Sequence, residues 1–306
     1  MLPTKSLAFL ALTLAVSTVE ARPRHINDDE PDDTPLPIVI WHGLGDTFNG
    51  EGLKQVGELA DAIHPGTFVY TVSLGGTDAS ADRSATFFGN VTAQLDEVCE
   101  ALAAHPILST APAIDAVGFS QGGHQHNGIV DFAACGAYDW LCKGAMSLLR
   151  YNTFSTFVQS RLVPAQYFRD PKDYAAYLDG SNFLADINNE REVKNKTYAE
   201  NLARLSNFVM YLFEDDTTVI PRETSWFQEV NGTEVIAIRD RPIYKEDWIG
   251  LKALDKKGGL RFRSITGDHM QIPESVLNET FANFFGPYYR KFEPETGVDD
   301  GRWGEL

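Results

Sequence analysis

With 306 residues, 43% of them hydrophobic, the chain can bury a sizeable core as one large domain or two small ones. Its formal charge of -17 and pI near 4.8 exclude a broad basic surface of the kind that binds nucleic acid or an anionic membrane.

The first residues read as an address. Lys5 supplies the positive charge, Leu7 to Val16 the apolar run and Val19-Glu20-Ala21 a small-residue cleavage site, so residues 1–21 are expected to be a signal peptide. The run is shorter than the roughly 20 residues that span a bilayer, and no later stretch is long and apolar enough, so no stable membrane span is expected. A flexible leader over 22–36, rich in Asp and Pro, and a similar tail over 293–306 flank a domain expected at 37–292. Entry into the secretory pathway makes Asn90, Asn195, Asn231 and Asn278, each in an Asn-x-Thr triplet, candidate glycosylation sites. It also exposes Cys99, Cys135 and Cys142 to oxidation. Cys135 and Cys142 are close enough in sequence for a local disulfide, which leaves Cys99 without a partner; three free thiols are the other reading.

Apolar runs alternate with helical patterns along the domain, the signature of an α/β arrangement with a mainly parallel sheet. "PIVIW" at 37–41 predicts a first strand, "TFVYTVS" at 67–73 a second and Ile114 to Phe119 a third. Helices are expected over Gly52 to Ile63 and Ala81 to Leu102, the latter with Phe87, Val91, Leu95, Val98 and Leu102 near one face. "FVMYLF" at 208–213 and Leu260 to Ile265 predict two further strands, with a minor one at Val235 to Ile238. The interval between Gly123 and Asn207 reads as helices and loops (Trp140 to Leu149, Phe154 to Leu162, Thr197 to Leu205), an inserted cap at about 130–205.

Gly118-Phe119-Ser120-Gln121-Gly122 fits G-x-S-x-G directly after a strand, the sharp turn that presents a nucleophilic serine. Glycines flank the serine because the strained turn leaves no space for Cβ atoms beside it. Serine attacks only when a histidine takes its proton and a carboxylate orients that histidine. In the α/β-hydrolase order Ser, Asp/Glu, His, each past a strand end, Asp215 and Asp216 follow 208–213, and Asp268-His269 follows 260–265. His269 is the better base of the seven histidines. His42 belongs to a turn, Trp41-His42-Gly43-Leu44-Gly45-Asp46, placed to offer a backbone N–H to an oxyanion; the donors would be Leu44 and Gln121.

These motifs, with "VIWHGLGDT", "FFGNVTAQLDEVCEALA", "RLVPAQYFRDP", "FLADINNE", "FVMYLFEDDT" and "GDHMQI", resemble the palmitoyl-protein thioesterases over nearly the whole mature chain. The resemblance implies an α/β-hydrolase fold with a helical cap and a soluble glycoprotein of the lysosome, vacuole or cell exterior. It implies hydrolysis of long-chain fatty acyl thioesters on S-acylated proteins or peptides, with Ser120 as nucleophile, Asp216 rather than Asp215 as acid partner and His269 as base. Trp140, Leu141, Met146, Leu148, Leu149, Phe154, Phe157 and Leu162 are candidates either to line an acyl groove or to form core under the cap. No cofactor, metal or nucleic-acid partner is implied. A secreted lipase or carboxylesterase with the same triad, and a catalytically impaired relative, are the alternatives.

One departure stands out. Members of that family continue past the serine turn with a helix, a cysteine-bearing turn and a strand, whereas here "GGHQHNG" follows at once. Roughly twenty residues are absent by resemblance, about one helix and one strand, and a parallel crossover needs a dozen or more that this chain lacks. The orphan Cys99 fits, its expected partner being in the absent turn. The gap predicts a re-spacing of Ser120 against Asp216 and His269 by one strand width, about 4.8 Å, with poor folding or little activity. A skipped exon would account for it.

Overall fold

The computed structural model describes residues 33–120, 129–130, 140, 143–144 and 153–292, with the backbone alone at 129–130. The stretches expected to be a signal peptide and a flexible tail, the expected oxyanion donor Gln121, and the cysteines Cys135 and Cys142 lie outside the described residues, as do Leu141, Met146, Leu148 and Leu149.

Three strands, β1 (Ile38–Trp41), β2 (Val69–Thr71) and β3 (Asp115–Gly118), form a parallel sheet in the order β2-β1-β3. Because side chains alternate across a strand, Ile38 and Ile40 point to one face and Val39 to the other. The first face meets Leu53, Val56 and Ala60 of helix α1 (Glu51–Ile63) and Phe281 of the final helix, Glu274–Phe284. The opposite face meets Val98 of helix α3 (Val91–Ala104) together with Val72 and Leu108. Pro35 and Leu36, at the end of the expected leader, are tied to Pro287 and Gly286 by a β-bridge and a 3.0 Å hydrogen bond.

The single helix expected over Ala81 to Leu102 is two. Helix α2 (Ala79–Phe87) ends before Gly89, whose φ of 137° only glycine adopts readily, and Asn90 opens α3 by accepting the Ala93 N–H.

A second parallel pair, β5 (Phe208–Phe213) with β9 (Leu260–Ile265), matches the expected strands residue for residue. Met210, Leu212, Leu260 and Phe262 pack there against Trp226, Ile238, Leu251 and Leu254. The two parallel units are not joined: among the described residues no strand pairs with both β3 and β5. β3 is accordingly half open, with Ala116 and Gly118 exposed. Inside the interval read as helices and loops, β4 (Ile129–Val130) pairs antiparallel with β6 (Val219–Ile220). A small hairpin, β7 (Glu229–Asn231) and β8 (Glu234–Ile236), stands in place of the minor strand.

The cap contains short helices at Thr156–Gln159, Val163–Gln166, Tyr174–Gly180, Leu184–Ile187 and Lys196–Arg204. Arg169 links it to the hairpin, 2.8 Å from Glu190 and 2.6 Å from Glu229. Removing one partner of so buried a network typically costs about 3–5 kcal/mol. The expected groove residues divide. Leu162 is fully buried beside Phe87, Val158 and Ala165, and Phe154 stacks on Phe168 within the cap, but Trp140 and Phe157 are exposed. These four form no single wall. Among the described residues no helix is long and apolar enough to cross a membrane.

Candidate active site

β3 runs straight into Ser120, whose φ of +49° is in the left-handed region that a residue with a Cβ enters only under constraint. The constraint is a neighbouring turn: a Cβ on Gly43 would stand 3.0 Å from Ser120 Cβ and 3.2 Å from Phe119 O, so only a bare backbone passes. Phe119 N donates to Trp41 O, which keeps the end of β3 against the end of β1.

The three side chains singled out by sequence order come together. Ser120 Oγ lies 2.8 Å from His269 Nε2, and His269 Nδ1 lies 2.8 Å from Asp216 Oδ2. Asp216 is 1% exposed, and its other oxygen accepts the N–H groups of Thr218 and Val219, both at 2.8 Å. Both oxygens are thereby committed, which leaves the carboxylate one orientation. The edge of the Phe213 ring supports the imidazole, 5.7 Å between centroids. Asp268 turns away, accepting from Thr217 N and Oγ1 and from His269 N, and these N–H and hydroxyl donors hold its carboxyl below the usual range.

The expected re-spacing by a strand width does not occur. Ser120, His269 and Asp216 stand at hydrogen-bond distances, although among the described residues no strand joins β3 to β5.

Leu44 sits on the Gly43–Gly45 turn with its side chain against Phe87 and Phe88. The turn is gripped by α2. Gly45 N donates to Thr86 Oγ1 at 2.9 Å, and Arg83 Nε donates to Gly45 O at 2.9 Å. His42, 1% exposed, has Nε2 3.0 Å from Asp82 Oδ2, an ion pair rather than a well-aligned hydrogen bond, and Nδ1 3.2 Å from Gly43 O. Burial opposes charge on His42, but the Asp82 carboxylate, the Gly43 carbonyl and the charge of Asp46 outweigh it and hold the imidazole above its ordinary value. Asp82 escapes the sequence reading: it belongs to no motif, and of its partners His42 and Phe48 lie 34 or more residues away while Leu74 follows another strand. The available signal is that Asp82, Thr86 and Phe87 share one buried helix face.

Of the glycosylation candidates, Asn195 and Asn231 are exposed, whereas Asn90 and Asn278 are half-buried. Cys99 is an exposed free thiol. Among the described residues no group of His, Cys, Asp or Glu is arranged to hold a metal ion.

The family described as palmitoyl protein thioesterase matches residues 37–125 and 123–269 of this chain. The two stretches meet where the sequence places the gap. Palmitoyl-protein thioesterase 1 of Caenorhabditis elegans is 33% identical over 277 residues, covering 82% of this chain and 92% of that protein. Since 82% of 306 residues is about 251, about 26 of the 277 aligned positions have no residue here. Palmitoyl-protein thioesterase 3 of Dictyostelium discoideum is 30% identical, with 82% and 91% covered, and the human lysosomal thioesterase PPT2 is 26% identical, with 73% and 78% covered.

Proposed function

Because this chain belongs to the palmitoyl-protein thioesterase family, we propose that it hydrolyses long-chain fatty acyl thioesters on protein cysteines through an acyl-enzyme on Ser120. The observation that carries the reading is the continuous relay Ser120, His269, Asp216, with a hydrogen-bond distance at each step. Ser120 Oγ attacks the thioester carbonyl while His269 Nε2 takes its proton, and Asp216 holds the ring so that Nδ1 keeps its hydrogen. Negative charge that develops on the carbonyl oxygen is received by the N–H groups of Leu44 and Gln121; one such donor is typically worth about 3 kcal/mol of barrier. The intermediate collapses with loss of cysteine thiolate. With a thiol pKa near 8.5, that group leaves with little acid assistance. Water, deprotonated by His269, then attacks the acyl-enzyme and releases the fatty acid.

Substrate preference follows from apolar burial, since each methylene removed from water contributes about 0.8 kcal/mol. The names of the lysosomal relatives and the signal-like amino terminus support a place in the secretory pathway, ending in the lysosome or vacuole or outside the cell.

The test is labelling by a fluorophosphonate probe combined with hydrolysis of matched palmitoyl oxygen and sulfur esters. Labelling of the wild type, its loss in Ser120→Ala, and a higher kcat/KM for the sulfur ester are expected. Preference for the oxygen ester would make the chain a lipase or carboxylesterase, and absence of labelling in the wild type would make it a catalytically impaired relative.

A further inference from the structure

Asp82 lies at the meeting point of three chain segments. Its Oδ2 is 3.0 Å from His42 Nε2 and accepts Phe48 N–H at 2.6 Å; its Oδ1 accepts Leu74 N–H at 2.7 Å. His42 enters the Gly43–Gly45 turn, Phe48 leaves it, and Leu74 follows β2. The carboxylate is completely buried and belongs to α2, which is itself fixed at its start by the Asp78 side chain accepting from Ser80 and Ala81. One turn further along the same face, Thr86 accepts the Gly45 N–H, and the Phe87 ring would lie 3.4 Å from any Cβ at Gly45. α2 thus grips both flanks of Leu44 and leaves its own N–H unclaimed by the helix.

We propose that Asp82 is a positioning residue for the reaction, acting through a doubly protonated His42 to hold the turn on which Leu44 presents its N–H to the oxyanion. This rests on reading Leu44 as an oxyanion donor. Both ring nitrogens of His42 face acceptors, Asp82 Oδ2 and Gly43 O, so the geometry requires a hydrogen on each. The charged groups that face His42 are Asp82 from α2 and Asp46 from the turn; Arg83, next on α2, is directed to Gly45 O. Burial opposes ionisation of Asp82 too, but His42 and the N–H groups of Leu74 and Phe48 hold its carboxyl below the usual range. Each partner thus favours the charged form of the other. As pH rises through the elevated value of His42 the ring loses one hydrogen, the ion pair disappears and the turn is released. The alkaline limb of the activity profile is thus set by His42, remote from the bond being broken.

The experiment measures kcat and KM on a palmitoyl thioester across pH for wild type, Asp82→Asn, His42→Gln, the double variant and Thr86→Val. Asp82→Asn and His42→Gln should each lower kcat by about a hundredfold, the usual consequence of displacing a transition-state donor, with KM within about threefold. Asp82→Asn should also move the alkaline limb down by about one unit or more, because the opposite charge beside the imidazole is gone. The double variant should be no worse than the poorer single one. A folded Asp82→Asn with wild-type kcat, or with reduced kcat and an unmoved alkaline limb, overturns the proposal and leaves Asp82 a purely structural residue. If Asp82→Asn does not fold, Thr86→Val decides: a kcat lowered about tenfold at constant KM supports the clamp, and a wild-type kcat refutes it. A wild type without thioesterase turnover instead overturns the functional reading, and this inference with it.

Discussion

Asp216 Oδ2 stands 2.8 Å from His269 Nδ1, while Asp268, the residue adjacent to His269, has its carboxylate committed to Thr217 and to the His269 backbone. The two aspartates are chemically identical and close in space, yet only one can fix the tautomer of the imidazole. Asp216→Asn is therefore expected to lower kcat by about 10⁴-fold, as when the ring is held in the wrong tautomer. Asp268→Asn should remain within about tenfold of wild type, since it only loosens hydrogen bonds in an exposed loop. Steady-state kinetics of both variants on one thioester checks the assignment, and a reversal of the two effects would exchange their roles.

Gly43 shows how close the Ser120 turn and the Gly43–Gly45 turn stand. A methyl group at that position would meet Ser120 Cβ at 3.0 Å and Phe119 O at 3.2 Å, both on the strained segment itself. Gly43→Ala must shift the Ser120 turn by a few tenths of an ångström, which disturbs the 2.8 Å contact with His269. Loss of about a hundredfold in kcat is expected for displacements on the order of 1 Å, with KM changed far less. A thermal melt close to wild type would localise the effect to the site, and unchanged kcat would show that the serine turn does not constrain the reaction.

At the far end of β3 from Ser120, Asp115 Oδ2 is buried without a hydrogen-bond partner. Burial pushes its carboxyl up to about 7, against the opposing influence of the Gly286 hydrogen bond and the Arg290 charge. The unfolded chain ionises this group near 4, so between pH 4 and 7 the folded form binds the extra proton. Stability from this group is fully present below pH 4, declines as pH rises and is lost above 7. At about 1.4 kcal/mol per unit the swing is on the order of a few kcal/mol, in the sense that suits an acidic compartment. Asp115→Asn should flatten the dependence, melting near the wild type at pH 4 and above it at pH 8. Melting curves of the two proteins that stay parallel from pH 4 to 8 would remove Asp115 from the account.

Legibility in the sequence follows the range of the interaction. β5 and β9 are marked at both ends because the first is an apolar run and the second an apolar–polar alternation, each bounded by turn residues, and their parallel pairing holds Phe208 beside Leu260 and Phe213 beside Ile265. The relay is legible because order along the chain and position after strands are local properties. The break between α2 and α3 is less so: Gly89 and Asn90 are the punctuation, but the apolar spacing continues across them and outweighs them. The β4–β6 pair is two residues long and brings together positions about ninety apart, which leaves no periodic trace. Asp82 is of the same kind, its meaning set wholly by His42, Phe48 and Leu74.

The residues that the sequence lacks after Gly123 make the last prediction. Among the described residues β3 pairs with β1 alone and β5 with β9 alone, although the serine at the end of β3 touches the histidine that follows β9. A central strand would ordinarily be covered on both edges and faces; here Ala116 and Gly118 are exposed. The relay then depends on two half-sheets whose separation no described ladder fixes. A chain carrying the roughly twenty residues that the family resemblance places after Gly123, about one helix and one strand, should supply the joining strand. It should melt higher by about 5 °C, what roughly 2 kcal/mol gives a protein of this size, and turn over thioester faster. Sequencing the transcript across the Gly123 codon asks the same question of the gene. A message that runs uninterrupted through this sequence, with robust thioesterase activity from the chain it encodes, would mean that two half-sheets are enough.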